Sequence, residues 1–249
     1  MGFVNWVLSF IFMPKLVFDI ETVGENFDDL DQKTQEVLTD WINKTSSSDE
    51  EKENTIQNLK DGLGLSPLTA EIVSIAVLDV EKNKGAVYYQ SPDKDTKEFE
   101  KDGFAFKPMD ERGILENFWR VAESYDEFIT FNGRAFDVPF MVVRSAKQGI
   151  KPTKDLLSNR YTNLQKFNAK HIDLLDQLTF YGAVWKNKGS LHMWCRLFGI
   201  KSPKAEGVAG DDVARLFKDK DFETIARYNF GDVVATAELY KIWERFIKF

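Results

Sequence analysis

The stretch Leu16-Val17-Phe18-Asp19-Ile20-Glu21-Thr22 sets two carboxylates two positions apart inside an apolar run. Side chains of a strand alternate between faces, so this spacing places Asp19 and Glu21 on the same face. Far along the chain, Arg227-Tyr228-Asn229-Phe230-Gly231-Asp232 sets a phenol and a carboxylate at i and i+4, the spacing that shares one face of a helix. If the fold brings these two faces together, hard oxygen ligands collect beside a phenol. Such a set suits Mg²⁺ or Mn²⁺.

A chain of 249 residues is long enough for one large α/β domain with a substantial core. With 43% hydrophobic and 29% charged residues, the composition is that of a globular chain. One cysteine, Cys195, excludes an internal disulfide and a Cys-rich zinc site. A reducing, cytoplasmic setting is the expectation. His171 and His192 are the only histidines, which leaves little room for histidine-based metal or triad chemistry. The formal charge of −7 argues at first against a nucleic-acid binder. Residues 25–61, however, hold eleven acidic and four basic side chains, which is the whole of that excess. The remainder is neutral, and bound divalent ions would make it mildly cationic.

Phe3 to Met13 is strongly apolar but too short to span a bilayer, and no basic region precedes it. Residues 1–12 read either as an extension ahead of a start at Met13 or as a strand, interface helix or membrane-surface patch. The expected organisation is an apolar extension over 1–12 and a single domain over 13–249. Lys15–Ile20 reads as a buried first strand. An acidic excursion follows over about 25–69, with helical spacing at Asp29–Ile42 and Asp49–Leu59 and a loop from Gly62 to Pro67. Glu71–Val80 and Gly85–Gln90 read as a hairpin. Glu111–Ser124 reads as an amphipathic helix, Glu127–Phe131 as a buried strand, and Val138–Lys147 as a helix with Pro139 in its first turn. His171–Phe180 and Leu191–Phe198 have helical periodicity, and Asp221–Phe249 reads as one long helix. This order predicts an α/β fold of ribonuclease H-like type: a mixed sheet flanked by helices, with an acidic helical insertion after the first strand.

A third fragment, Phe131-Asn132-Gly133-Arg134-Ala135-Phe136-Asp137, follows a strand and opens a helix, which puts Asp137 at a helix N-terminus. Asp-x-Glu, then Asn-x-x-x-Phe-Asp, then Tyr-x-x-x-Asp, in this order, resembles the DEDD (DnaQ-like) superfamily of 3′–5′ exonucleases. Within it, the chain is most similar to the predicted exonucleases akin to the proofreading domain of family B DNA polymerases. The resemblance runs from about residue 13 to 249 and takes in His171-Ile172-Asp173-Leu174 and Gly199-Ile200-Lys201. The histidine subclass would carry His at the position of Arg227, so the chain resembles the tyrosine subclass.

The resemblance implies a catalytic set of Asp19, Glu21, Asp137, Tyr228 and Asp232. It implies two metal ions, Mg²⁺ or Mn²⁺, held by Asp19, Glu21, Asp137 and Asp232. Asp19 would bridge both ions, Glu21 and Asp232 would serve the water-side ion, and Asp137 the other. Tyr228 would position the attacking water. Asn132 and Phe136 would touch the terminal nucleotide, and Lys188, Lys201 and Lys204 the phosphates. The implied activity is metal-dependent hydrolysis at the 3′ end of single-stranded nucleic acid, releasing nucleoside 5′-monophosphates by a two-metal mechanism. The chemistry asks for these residue types: two divalent ions about 3.5–4 Å apart stabilise both the attacking and the leaving oxygen.

Each fragment alone has a plainer reading: a strand running into a polar loop, an i,i+4 helix pair, an Asn-Gly turn. It is their order on fitting elements that favours catalysis. Asp173 reads as a helix cap or the partner of a local donor ahead of a fifth acidic contributor. Cys195, Phe118, Trp119, Trp194 and Phe198 read as core. The acidic insertion is expected to point away from a phosphate backbone or to form a surface for a protein partner. The alternative function is a nucleic-acid-binding or partner-recruiting module with weak or no turnover. The 2′-hydroxyl contacts that separate RNA from DNA leave no short signature, so both polymers fit.

Overall fold

A computed structural model describes residues 13–92, 96–184, 189–202 and 210–249. The apolar extension over 1–12, Lys188 and Lys204 lie outside the described residues.

Seven strands form one mixed sheet in the order β4-β5-β3-β2-β1-β6-β7. They are β1 (Lys15–Gly24), β2 (Ala70–Asp79), β3 (Lys84–Gln90), β4 (Phe99–Lys101), β5 (Phe104–Met109), β6 (Glu127–Thr130) and β7 (Lys170–Asp173). β1, β2 and β3 run antiparallel as a meander, while β6 lies parallel to β1 and β7 parallel to β6.

Alternation along β1 divides the interior into two cores. Leu16, Phe18 and Ile20 pack with Ile114, Leu115, Phe118 and Trp119 of α3 (Glu111–Ala122) and with Val138, Phe140 and Met141 of α4 (Asp137–Lys147). Val17 faces the opposite side, where it meets Leu174 and Leu178 of α5 (Leu174–Leu178) and Val233, Ala237 and Tyr240 of the long α8 (Phe222–Phe246). Asp19 and Glu21 continue the Val17 face, and the strand therefore aims its two acids at α8.

The predicted elements hold for β1 to β3, α3, β6, α4, α6 (Leu191–Phe198) and α8. The insertion folds as α1 (Gln32–Thr45) and α2 (Asp49–Gly62). α1 starts three residues later than Asp29, because Asp31 is its N-cap and accepts from the Thr34 amide at 3.1 Å. Two expectations need correction. His171 to Asp173 is the strand β7 and not the start of a helix, and Asp173 caps the short α5 behind it. An apolar stretch this short carries no period by which strand and helix differ. β4 and β5 were also not expected. β5 pairs with β3 along its whole length, Pro108 opposite Tyr89, and with β4 only from Phe104 to Phe106.

The acidic insertion is stitched to the end of β1. Thr22 Oγ1 donates to the Gly64 carbonyl at 2.7 Å, and the Glu25 amide donates to the Thr69 carbonyl at 2.8 Å. A Cβ on Gly24 would fall 2.7 Å from the Gly64 nitrogen, so this approach requires glycine.

Candidate active site

β1 carries Asp19 and Glu21 to the centre of the sheet, and a register shift between Glu21 and Thr22 ends their regular pairing with β2. Bulges of this kind re-aim side chains beside functional sites. α8 crosses the same face. Its N-cap Asp221 accepts from the Thr224 amide at 3.3 Å, and about two and three turns later Tyr228 and Asp232 turn inward at 7% and 9% exposure. Carboxylate oxygens of Asp19, Glu21 and Asp232 lie within 4.8 Å of one another. The Tyr228 hydroxyl shares a hydrogen bond with Asp232.

Asp137 reaches the cluster from the other core. β6 pairs with β1 only as far as Val17, and beyond that point Asp137 Oδ1 accepts from the Ile20 amide at 3.1 Å. This carboxylate, 3% exposed, thereby anchors the strand that presents Asp19. It lies outside the tight threesome but close enough to act on its charge.

The electrostatics follow from crowding in a dry place. Burial, then Asp137, Asp232 and Glu21, push the Asp19 carboxyl well above the usual range. Burial pushes Asp137 up to about 7, with Asp173 and Asp232 adding repulsion, while the amides of Asp137 and Ile20 pull it back. Burial and the three neighbouring carboxylates raise the Tyr228 phenol above its ordinary range, so it stays protonated. It can orient a water or an oxygen but cannot serve as a base.

Two residues of this constellation escaped the sequence reading. Asn229, fully buried, donates from Nδ2 to Asp19 Oδ2 at 2.7 Å, and its own carbonyl accepts from Ser74 Oγ at 2.8 Å. Ser74 pairs with Glu21 across β1 and β2. The signal was present, since Asn229 sits three residues before Asp232 and so on the same helix face.

The loop carrying Asn132, Phe136 and Asp137 is held from β7. Asp173 accepts from the amides of Asn132 at 2.8 Å, Arg134 at 3.0 Å and Leu175 at 3.0 Å. It is the cap and local partner that the sequence suggested. Asn132 adopts φ 67°, a left-handed conformation that asparagine tolerates. A Cβ on Gly133 would meet Thr130 Oγ1 at 2.4 Å. Thr130 also touches His171 Nε2 at 2.8 Å, while His171 Nδ1 is 3.0 Å from the Leu156 carbonyl. A carbonyl only accepts, so Nδ1 carries the proton and the threonine hydroxyl donates to Nε2. Burial holds this imidazole neutral, its pKa pushed down to about 4.

Phe136 and Asn132 part company. Phe136 packs on Phe140, ring centroids 5.5 Å apart, and borders a cavity that Glu21 also borders. Asn132 lines a separate depression with Arg134, Arg160, Asp173 and Asp176. The insertion does not turn wholly away from the acids: Phe27, Lys60 and Leu65 line the cavity that holds Glu21.

Residues 67–249 match the family described as predicted 3′–5′ exonucleases related to the exonuclease domain of PolB. The chain belongs to this family. Asp137, Tyr228 and Asp232 fall inside the stretch that matches the PolB-related exonucleases, while β1 and the helical insertion precede it. DNA polymerase 1 of Sulfolobus acidocaldarius is 27% identical over 168 residues, 63% of this chain and 19% of that protein. DNA polymerase 1 of Sulfurisphaera ohwakuensis is 24% identical over 166 residues, with the same shares. The chain thus spans about a fifth of the length of the curated relatives it matches. A family B DNA polymerase from the hyperthermophilic archaeon Pyrobaculum calidifontis superposes with a TM-score of 0.55 at 17% identity, over 92% of this chain and 24% of that one. The seven-stranded mixed sheet is therefore the ribonuclease H-like fold of polymerase exonuclease domains. Among the described residues, no helix is long and apolar enough to cross a membrane.

Proposed function

We propose that this chain is a metal-dependent 3′–5′ exonuclease that hydrolyses single-stranded nucleic acid from its 3′ end and releases nucleoside 5′-monophosphates. The observation that carries the reading is the convergence of Asp19, Glu21 and Asp232 within 4.8 Å, with the protonated phenol of Tyr228 bonded to Asp232.

The donor set fits a divalent cation. All its ligand atoms are hard carboxylate oxygens, and their mutual repulsion leaves Asp19 reluctant to ionise without a counter-charge. Asp19, Glu21 and Asp232 would hold Mg²⁺ or Mn²⁺, with Asp137 completing a site for two ions. Such ions supply charge neutralisation at the attacking and leaving oxygens and lower the pKa of a bound water. The protein's own residues supply placement. Asn229 fixes the plane of the Asp19 carboxylate, and Asp137 fixes the strand beneath it. Tyr228, unable to ionise near neutral pH, orients the nucleophilic water. Phe136 packs against the terminal nucleotide, and Asn132 holds its loop conformation nearby. Domain boundaries at 13 and 249, with α1 and α2 as an insertion, suit this reading. The exposed acidic side chains of α1 and α2 offer a surface for a basic protein partner. The relatives' names make DNA the first polymer to assay.

The test is purified protein with single-stranded DNA and RNA oligonucleotides labelled at either end, in Mg²⁺ and in Mn²⁺. Stepwise 3′ shortening with release of 5′-monophosphates is expected. Intact ends under both metals, with the oligonucleotide still bound, would replace this reading by that of a binding module.

A further inference from the structure

The cavity beside Glu21 measures about 700 Å³, within the roughly 300–1,000 Å³ of sites that enclose small organic molecules. Its walls come from four parts of the chain. The end of β1 gives Glu21, Thr22 and Gly24, and the loop before α4 gives Phe136. The insertion gives Phe27, Lys60 and Leu65, and α7 (Val213–Lys218) gives Arg215 and Lys218. Glu21 belongs at once to this wall and to the acidic cluster, so cavity and cluster are continuous.

Basic and aromatic groups share this space. Lys60 Nζ lies 5.0 Å above the Phe27 ring and 3.0 Å from Asp28, and Arg215 is 3.0 Å from Asp212. Exposed pairs of this kind are worth about 0–1 kcal/mol, and a phosphate can displace the carboxylate at little cost. Lys218 is exposed on the same wall. Asp61, a lining acid, already accepts from Gln57 Nε2 at 2.8 Å. Cations that track a backbone beside rings that receive bases are the combination by which proteins bind single strands. Phe27, Lys60 and Leu65 precede the stretch that matches the family.

We propose that the cavity between the helical insertion and α7 holds the nucleotides immediately upstream of the scissile phosphate, with Lys60, Arg215 and Lys218 on their phosphates and Phe27 against their bases, next to the terminal nucleotide at Phe136. The assignment rests on the exonuclease reading. It gives the insertion a substrate-binding inner face opposite its acidic outer face.

The experiment measures the affinity of fluorescein-labelled oligothymidylates of two, four and six nucleotides in an Asp19→Asn background that prevents cleavage. Affinity should rise with length. In the Lys60→Gln/Lys218→Gln double variant, hexanucleotide affinity should fall roughly tenfold at low salt, and the slope of log K against log salt should shrink by about 1.4, or about 0.7 per cation. Lys33→Gln, on the outer side of α1, should leave both unchanged. Circular dichroism melts confirm that each variant is folded; Lys218 is exposed, Lys60 is half-buried, and neither belongs to a core. Retention of the full length gain and salt slope in the folded double variant would overturn the proposal, as would a reference protein that binds the hexanucleotide no better than the dinucleotide. The wild-type nuclease assay separates the two readings. Cleavage with a persistent length gain sinks the cavity assignment alone. No cleavage with a lost length gain sinks the nuclease reading and leaves the strand path standing.

Discussion

Asn229 is held on both sides of its amide, by Ser74 behind and by Asp19 in front. Removing it frees the Asp19 carboxylate to rotate without taking away any ligand atom. Outer partners of metal ligands typically contribute about 10–100-fold in affinity or activity. Asn229→Ala should therefore weaken Mn²⁺ binding by roughly that factor in calorimetric titration and reduce turnover with it. An unchanged Mn²⁺ affinity would show that Asp19 holds its orientation unaided. At this scale the sequence was legible where chemistry dictates residue type. Asp19, Glu21, Tyr228 and Asp232 stood out by charge and spacing. Asn229 lay in the same quoted fragment and went unremarked, because an amide has no signature until its two partners, 155 and 210 positions away, are seen.

At the scale of elements, the loop between β6 and α4 depends on a carboxylate from the next strand. Asp173 takes three backbone amides, two of them from the loop that leads to Asp137. Each amide left without a partner costs about 1–3 kcal/mol. Asp173→Ala should lower unfolding free energy by at least about 2 kcal/mol in urea titrations, with Asp173→Asn intermediate because it keeps an accepting oxygen. Strong periodicity made α3, α6 and α8 readable from sequence, and the Glu81–Lys84 turn made the hairpin readable. β4, β5 and β7 were not. They are short, two of them lie at sheet edges, and their pairing partners are set by tertiary contacts that no local pattern encodes.

For the whole molecule, the site lies where the two cores meet, and its charge couples to stability. Asp137 binds its proton more tightly folded, up to about 7, than unfolded. Between its ordinary range near 4 and that value, the folded chain holds the extra proton, so stability falls as pH rises. His171 works in the opposite direction: its folded pKa of about 4 lies below the usual 6.5, so stability falls as pH drops between those values. Only the carboxylate contribution responds to cations. Mg²⁺ or Mn²⁺ should thus raise the melting temperature more at pH 8 than at pH 5, and equal shifts at the two pH values would count against a carboxylate site.

The orientation of the insertion was the global feature that sequence missed. Its charge reads as repulsion from a phosphate chain, and only the fold shows that Lys60 turns inward while most of the acids stay outside.

Asp137 takes up β1 where β6 lets it go. Replacing it removes a brace of the sheet together with a negative charge, whereas Asp19 is braced by the side chain of Asn229. In a mutational library scored only for correctly folded protein, position 137 should accept few substitutes and position 19 many. Loss of nuclease activity at 137 therefore has to be read beside a folding score, and the same loss at 19 can be credited to chemistry.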